Sequence, residues 1–402
     1  MRTVDEHLAR VLAGVVGLEP LDVSLLEARG CLLAEPVTAP WPLPPFDAAA
    51  VNGYAVRAGD CDGASVLHPV GLSVVDDVPA GYRASHSLGP GQAIRIMAGA
   101  PMPEGADTVV GFDRTDSGMP TVSLHAPARL GENVAQAGAE LPADQVVLAA
   151  GARIGAREVA LLAAVGRSRV SVRPRPRVVV VSTGTELVEP GDPITPGLVP
   201  DSNGCMLTAA ATEAGAFAFR TGPVPDEEQA LTDTLEDQLV VADLIVTTGG
   251  VAVGTSDTVK SVLSRLGTVD FSPLAMDPGA PQGHGHLGPD RVPVISLPGS
   301  SSSAFVAFEV FVRPVIRQML GHRRIHRPVT SARLTQPLTG SPGVRHFVPA
   351  RLEGRAGERV VTPVGDPGLM GLRLADGLVV LPESAEHVPA GTVVDVMAVG
   401  GP

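Results

Sequence analysis

Aromatic side chains make up only 3% of the 402 residues, with a single tryptophan, so the cores must be packed from aliphatic groups. The 3 cysteines, Cys31, Cys61 and Cys205, lie far apart, are odd in number and form no CxxC pair. That spacing argues against both a disulfide framework and a structural zinc site. No apolar run reaches the roughly 20 residues of a membrane span. The first residues, Met1-Arg2-Thr3-Val4-Asp5-Glu6-His7, bring in acid at once, and no apolar segment of signal-peptide length follows, so the expected location is the cytoplasm. Basic charge is in deficit. Against 43 Asp and Glu stand 30 Lys and Arg, a formal net charge of −13 that argues against nucleic acid or an anionic membrane as partner. An anionic small ligand would need a local cradle of backbone donors or basic side chains.

What is abundant is glycine and proline, 46 and 38 residues, within a 44% hydrophobic chain, which reads as turn-rich globular structure. The length suggests two to four domains at roughly 150 residues each. Apolar residues at Val4, Leu8, Val11, Leu12 and Val15 predict a helix closing at Gly17, and a short helix is expected over 23–28. A proline-rich stretch, 36–45, marks a domain crossing. Short apolar runs between Gly, Pro and Asp over 46–150 read as a β-rich insertion, followed by a helix over 156–165 and a stiff Arg-Pro linker at 173–177. Strands are then expected at 178–182, 217–221, 244–248 and 292–297. They alternate with helices at 204–214, 227–240 (Asp226 as N-cap), 257–266 and 301–320. Such alternation predicts a doubly wound parallel sheet. Strands return from 327 onward as a small β-domain.

The strongest chemical signal is the segment 247–254, where Thr248, Gly249, Gly250 and Gly254 stand between a buried strand and a helix starting at Asp257. Glycines there allow backbone N–H groups to approach a phosphate, and a helix N-terminus favours negative charge; the plainer reading is a tight turn capped by Asp257. Two further loops follow apolar strands, Ser182-Thr183-Gly184-Thr185-Glu186 and Leu297-Pro298-Gly299-Ser300-Ser301. In a doubly wound sheet all three face one crevice, and Asp201-Ser202-Asn203, otherwise an ordinary helix cap, can join them. The histidines are weaker signals. His284 and His286 read as a loop pair without a third ligand, and His322 and His326 are bracketed by Gly321 and Pro328. Trp41 reads as a packing anchor.

Taken together, these loops resemble the MoeA family, which includes the gephyrin E domain. Phe46-Asp47-Ala48-Ala49-Ala50-Val51-Asn52-Gly53-Tyr54-Ala55 is similar to that family's FDNSAMDGYA. The run from Ile94 to Gly105 is similar to IRIMTGAPVPEG, Ser182 to Leu187 to STGDEL, and Gly249 to Asp257 to GGVSVGxxD. The resemblance covers nearly the whole chain in order. It implies a multidomain α/β plus β fold, with a central MogA-like doubly wound domain at 173–326 and a β-rich insertion at 46–140. A helical linking domain built from 1–45 and 141–172, and a C-terminal β-domain at 327–402, complete it. It implies a molybdopterin molybdenumtransferase that acts on adenylylated molybdopterin and molybdate with Mg²⁺, as a homodimer whose site is completed by the partner's inserted domain. Partners of MogA or molybdoenzyme type are implied as well. Catalytic roles carry over to Glu186, Asp257 and Glu140. Binding roles carry over to Ser182, Thr183, Gly184, Asp201, Asn203, Thr248, Gly249, Gly250, Gly254, Pro298, Gly299 and Ser300.

Several charged positions depart from the pattern. The acid of DGYA is Asn52, the threonine of MTGAP is Ala98, and KPGKP is Asp277-Pro278-Gly279-Ala280-Pro281, so two lysines have become Asp277 and Ala280. PGNP has become Pro298-Gly299-Ser300-Ser301, and the serines of the C-terminal GSxxLxSLAxANG are absent from 365–377. Two readings follow: a transferase that tolerates these changes, or an impaired paralogue that binds molybdopterin or acts as a scaffold.

Overall fold

The computed structural model describes residues 1–251, 258–279, 281–355, 357–365 and 368–400. Two compact units emerge, one formed by Met1–Leu21, Gly30–Leu32 and Ser171–Pro402, the other by Asp22–Arg29 and Leu33–Val170.

The first unit is built on a six-stranded sheet in the order Phe217–Arg220, Arg177–Ser182, Leu244–Thr248, Val292–Leu297, Gln282–Leu287, Gly267–Ser272. The first four strands are parallel, as the βα alternation requires. The last two are antiparallel, a departure from the expected all-parallel sheet. The second and third strands, Arg177–Ser182 and Leu244–Thr248, are buried on both faces, which is why they read as unbroken apolar runs. Their residues alternate between two cores: Val178, Val180, Leu244 and Val246 face helices Ser202–Ala214, Ser301–Ala307 and Arg313–Met319, while Val179, Val181 and Ile245 face helices Glu228–Leu239 and Thr258–Leu266.

Helix Val4–Ala13 joins the first of these cores and opens with a capping box between Thr3 and Glu6. It ends at Gly14 rather than Gly17, and glycine is favoured there because a Cβ would stand 2.8 Å from the His286 ring. His284 and His286 lie on strand Gln282–Leu287, not in a loop, and the His284 ring packs edge-on against buried His7 with centroids 4.9 Å apart. The long helix expected over 301–320 is divided by a π-helical turn, Phe308–Val312, which buries Glu309 among arginines. Strands Arg345–Glu353, Val360–Pro363, Val329–Leu334, Val393–Ala398 and Gly377–Leu381 close into a small barrel around Leu334, Val361, Val379 and Val396. The short strand Met276–Asp277 pairs with the barrel strand at Arg345 and His346.

In the second unit a five-stranded sheet runs Thr108–Gly111, Gly53–Val56, Gln92–Ile96, Val70–Val78, Thr121–Leu124, around Tyr54, Ile94 and Val110. Glycine at 53 is required by close approach, since a Cβ there would meet the Val110 carbonyl oxygen at 2.0 Å. Trp41 packs over Gly166, after helix Ala156–Ala164, and donates to the Ala164 carbonyl at 3.4 Å. The helix expected over 23–28 does not form. Residues Leu21–Ser24 are a strand, and the amide and hydroxyl of Ser24 donate to Glu27 Oε2 at 3.0 and 2.7 Å, closing a turn instead. Among the described residues, no helix is long and apolar enough to cross a membrane, and the three cysteines are free thiols.

Candidate functional site

Strands Arg177–Ser182, Leu244–Thr248 and Val292–Leu297 end in register, Ser182 beside Thr248 and Thr248 beside Leu297. The turns that follow therefore share one edge, where parallel α/β sheets place their ligands. Together with the start of helix Ser202–Ala214 they enclose a crevice of about 460 Å³.

Asn203 ties the loops together. Its Nδ2 donates to Thr248 Oγ1 at 3.1 Å and to the Gly299 carbonyl at 2.7 Å, while Thr248 Oγ1 donates to the Pro298 carbonyl at 2.8 Å. Thr183 N donates to the Thr248 carbonyl at 2.9 Å. Gly249 and Gly250 adopt φ of +97° and +65°, and a Cβ at 249 would stand 2.2 Å from the Thr183 carbonyl oxygen. Only glycine fits this turn. The N–H of Gly249 is directed at the Leu297 carbonyl at 3.4 Å, so this residue shapes the crevice rather than offering its own donor to a ligand.

The lining is acidic. Glu186, Asp201 and Asp226 contribute carboxylates, and no Lys or Arg lines the crevice among the described residues. Asp201 is 1% exposed; its Oδ1 accepts from Gly204 N at 2.8 Å as the N-cap of its helix, and Arg220 Nη1 stands 4.0 Å from Oδ2. Four buried lining oxygens, Ser182 Oγ, Asp201 Oδ2, Asn203 Oδ1 and Asp226 Oδ1, have no hydrogen-bond partner among the described residues. Buried polar atoms are normally satisfied, so such a cluster marks a surface shaped for a polar ligand. Burial pushes the Asp226 carboxyl above its ordinary range, and the charge of Glu186 adds to the shift.

These donors fit Mg²⁺, a hard cation that takes one or two carboxylates and completes its shell with water and substrate phosphates. No group of three His, Cys, Asp or Glu side chains that could cage a metal occurs among the described residues. Phosphate oxygens would therefore have to finish the shell.

The expected binding residues Ser182, Thr183, Asp201, Asn203, Thr248, Gly249, Gly250 and Gly299 all line the crevice, as do Glu186 and Ser301, whose hydroxyl lies 3.2 Å from that of Ser202. Gly184, Pro298 and Ser300 stand just behind it. Gly184 N donates to the Val224 carbonyl at 3.0 Å, the Pro298 carbonyl accepts from Thr248, and Ser300 donates to Ser303 at 2.7 Å. Gly254, Asp257 and Ala280 lie outside the described residues. Asp277 is not in the lining; its carboxylate pairs with His346 Nδ1 at 3.1 Å. Asn52, Ala98 and Glu140 belong to the second unit, where Asn52 Oδ1 accepts from Ala98 N at 2.8 Å and Glu140 is exposed in a turn. The sequence pattern predicts Asp226 as a helix cap, and the structure places it in the crevice lining instead. Helix Glu228–Leu239 has Glu227 at its N-cap position, with no side-chain capping hydrogen bond, and the Asp226 side chain lines the crevice. The signal was available: an acid just beyond a parallel strand, on the same sheet edge as the other loops.

Residues 2–166 match the family described as MoeA N-terminal region (domain I and II), 179–318 the probable molybdopterin binding domain, and 331–399 the MoeA C-terminal region (domain IV). The chain is 40% identical to molybdopterin molybdenumtransferase 2 of Mycobacterium tuberculosis, over 98% of this chain and 99% of that one. It is 34% identical to the molybdopterin molybdenumtransferase of Bacillus subtilis, over 98% and 94%. Among solved structures, the molybdopterin biosynthesis MoeA protein from Pyrococcus horikosii superposes with a TM-score of 0.81 at 32% identity, covering 99% of both chains. With likeness of this extent over every part of the sequence, the chain belongs to the MoeA family.

Proposed function

We propose that the chain is a molybdopterin molybdenumtransferase, which inserts molybdate into adenylylated molybdopterin and releases AMP in molybdenum cofactor biosynthesis. The observation that carries this reading is the crevice with its four unpartnered buried oxygens. A pterin ring presents N–H donors, and Asp201 Oδ2 and Asn203 Oδ1 are complementary acceptors, while the Ser182 hydroxyl can donate or accept. Full-length likeness to proteins named as transferases favours this reading over the impaired paralogue.

Glu186 and Asp226 would hold Mg²⁺, with Asp257 as a further carboxylate supplied by the sequence pattern. The ion supplies positive charge to the phosphates of the adenylate, which the crevice otherwise meets with acid. The chain's own residues bind the pterin, fix the strand-end turns and hold the Glu186 and Asp226 carboxylates near one another, a like-charge pair that a cation would relieve. By the resemblance, Asp277 and Ala280 stand where the family carries two lysines; Asp277 lies outside the crevice lining, so the missing positive charge acts on the anion as a field rather than a contact, and turnover is expected to be slow rather than absent. The expected assembly is a cytoplasmic homodimer, testable by sedimentation.

The decisive assay incubates the purified chain with Mg²⁺, molybdate and adenylylated molybdopterin and measures AMP. Release above the buffer control that is lost with chelator supports the proposal; no release refutes it. A variant combining Asp277→Lys and Ala280→Lys run alongside should release AMP faster, which would trace the slow turnover to anion handling.

A further inference from the structure

Helix Arg313–Met319 and the segment 320–328 beyond it border a second cavity, of about 650 Å³, a size typical of small-molecule sites. Five arginines, Arg313, Arg317, Arg323, Arg324 and Arg327, stand in its lining, with no acidic side chain among them. In a chain of net charge −13 this is a local reversal of sign.

Two of these guanidiniums are built into the wall. Glu309, 2% exposed in the π-helical turn, accepts from Arg327 Nε and Nη2 at 2.7 and 2.9 Å and lies 3.8 Å from Arg313 Nε. One carboxylate thus serves two desolvated cations. Arg313 Nη1 is buried without a hydrogen-bond partner among the described residues, and burial pushes this guanidinium below its ordinary range. Glu213 lends negative field to both Arg313 and Arg327, though it forms no ion pair among the described residues. The two acids offset the two wall arginines. Arg323 and Arg324 remain as surplus charge, exposed and in no ion pair among the described residues. Apolar surface from Ile325, Pro328 and Ala398 completes the lining.

We propose that this cavity binds a nucleotide-sized polyphosphate, its phosphates on Arg313, Arg323 and Arg324 and its ring against Ile325 and Pro328. Arginine is suited to the task, because its planar fork donates two parallel hydrogen bonds to phosphate oxygens. A ligand anion would also give the buried Arg313 Nη1 the acceptor it lacks within the chain. Nothing in the transferase reading assigns this cavity, which opens at the root of the C-terminal barrel rather than at the strand-end crevice.

The test is calorimetric titration of the full chain with ADP, inorganic pyrophosphate and adenosine at physiological salt. ADP is expected to bind, pyrophosphate more weakly, and adenosine not at all. Replacing both exposed arginines (Arg323→Gln, Arg324→Gln) should weaken ADP at least tenfold without changing the melting temperature. Asn203→Ala, in the strand-end crevice, removes nucleotide held at the transferase site, so the ADP binding that survives it is the part expected at the arginine cavity. Absence of ADP binding, equal binding by the double variant, or loss of binding in Asn203→Ala alone would each overturn the proposal. Pyrophosphate as tight as ADP would overturn the role given to the apolar wall.

Discussion

His7 offers a quantitative test of the way the first unit is packed. Its ring is fully buried, edge-on to Phe311 at 4.8 Å and to His284 at 4.9 Å, and its Nε2 has no hydrogen-bond partner among the described residues. Burial pushes its pKa down from 6.5 to about 3, and the neighbouring His284 and Arg2 add to the shift. Below pH 6.5 the unfolded chain therefore takes up a proton that the folded chain refuses. The stability is present in full above that value and is lost as the pH falls toward 3. Between pH 7 and pH 5 this linkage removes about 2 kcal/mol. For a unit of this size that corresponds to roughly 4–8 °C in Tm. His284 is lowered as well, chiefly by burial, and acts in the same direction. Phenylalanine preserves the edge-on packing and gives up only a long contact to Arg2 at 3.4 Å. A His7→Phe variant should thus lose several degrees less than the natural chain when melted at pH 5 rather than pH 7. Identical losses in the two proteins would refute the assignment of a neutral, buried His7.

Other perturbations follow from the same geometry. Gly249→Ala forces a side chain into φ +97° and against the Thr183 carbonyl, so AMP release should fall at least tenfold, with destabilisation of about 1–3 kcal/mol in a denaturant titration. Unchanged kinetics would show that the turn relaxes freely. Asp226→Asn removes like-charge repulsion with Glu186; the natural chain should lose stability as pH rises through the raised Asp226 value, whereas the variant should not, and it should turn over more slowly. Parallel melting profiles from pH 4 to 8 would count against it. Glu309→Ala strands two buried guanidiniums and should cost about 3–5 kcal/mol, read as a lower Tm; a neutral outcome would mean that water reaches them.

The alternation of apolar strands and amphipathic helices was legible in the sequence between 178 and 320, because strands buried on both faces must be apolar throughout. So were the glycine turn and most of the crevice lining, since strand-end loops of a parallel sheet share an edge whatever the helices do. Positions that depend on partners distant in sequence were not. Helix Val4–Ala13 stops at Gly14, against which the His286 ring stands, and the segment 23–28 is tied to residues far along the chain, Leu25 N donating to the Ser168 carbonyl at 3.3 Å. Histidines 284 and 286 read as loop residues because the glycines beside them suppress any strand signal. Asp226 reads as a helix cap in the sequence, whereas in the structure the cap position is Glu227 and Asp226 lines the crevice. The arginines around Glu309 form no sequence motif, being gathered by a π-helical turn and by the chain's return from 320 to 328. Local periodicity thus determined which faces are apolar and where the chain turns. Which charges meet was decided by tertiary structure, because electrostatic pairing depends on distance in space, and residues 18 apart along the chain can stand 2.7 Å apart, as Arg327 and Glu309 do.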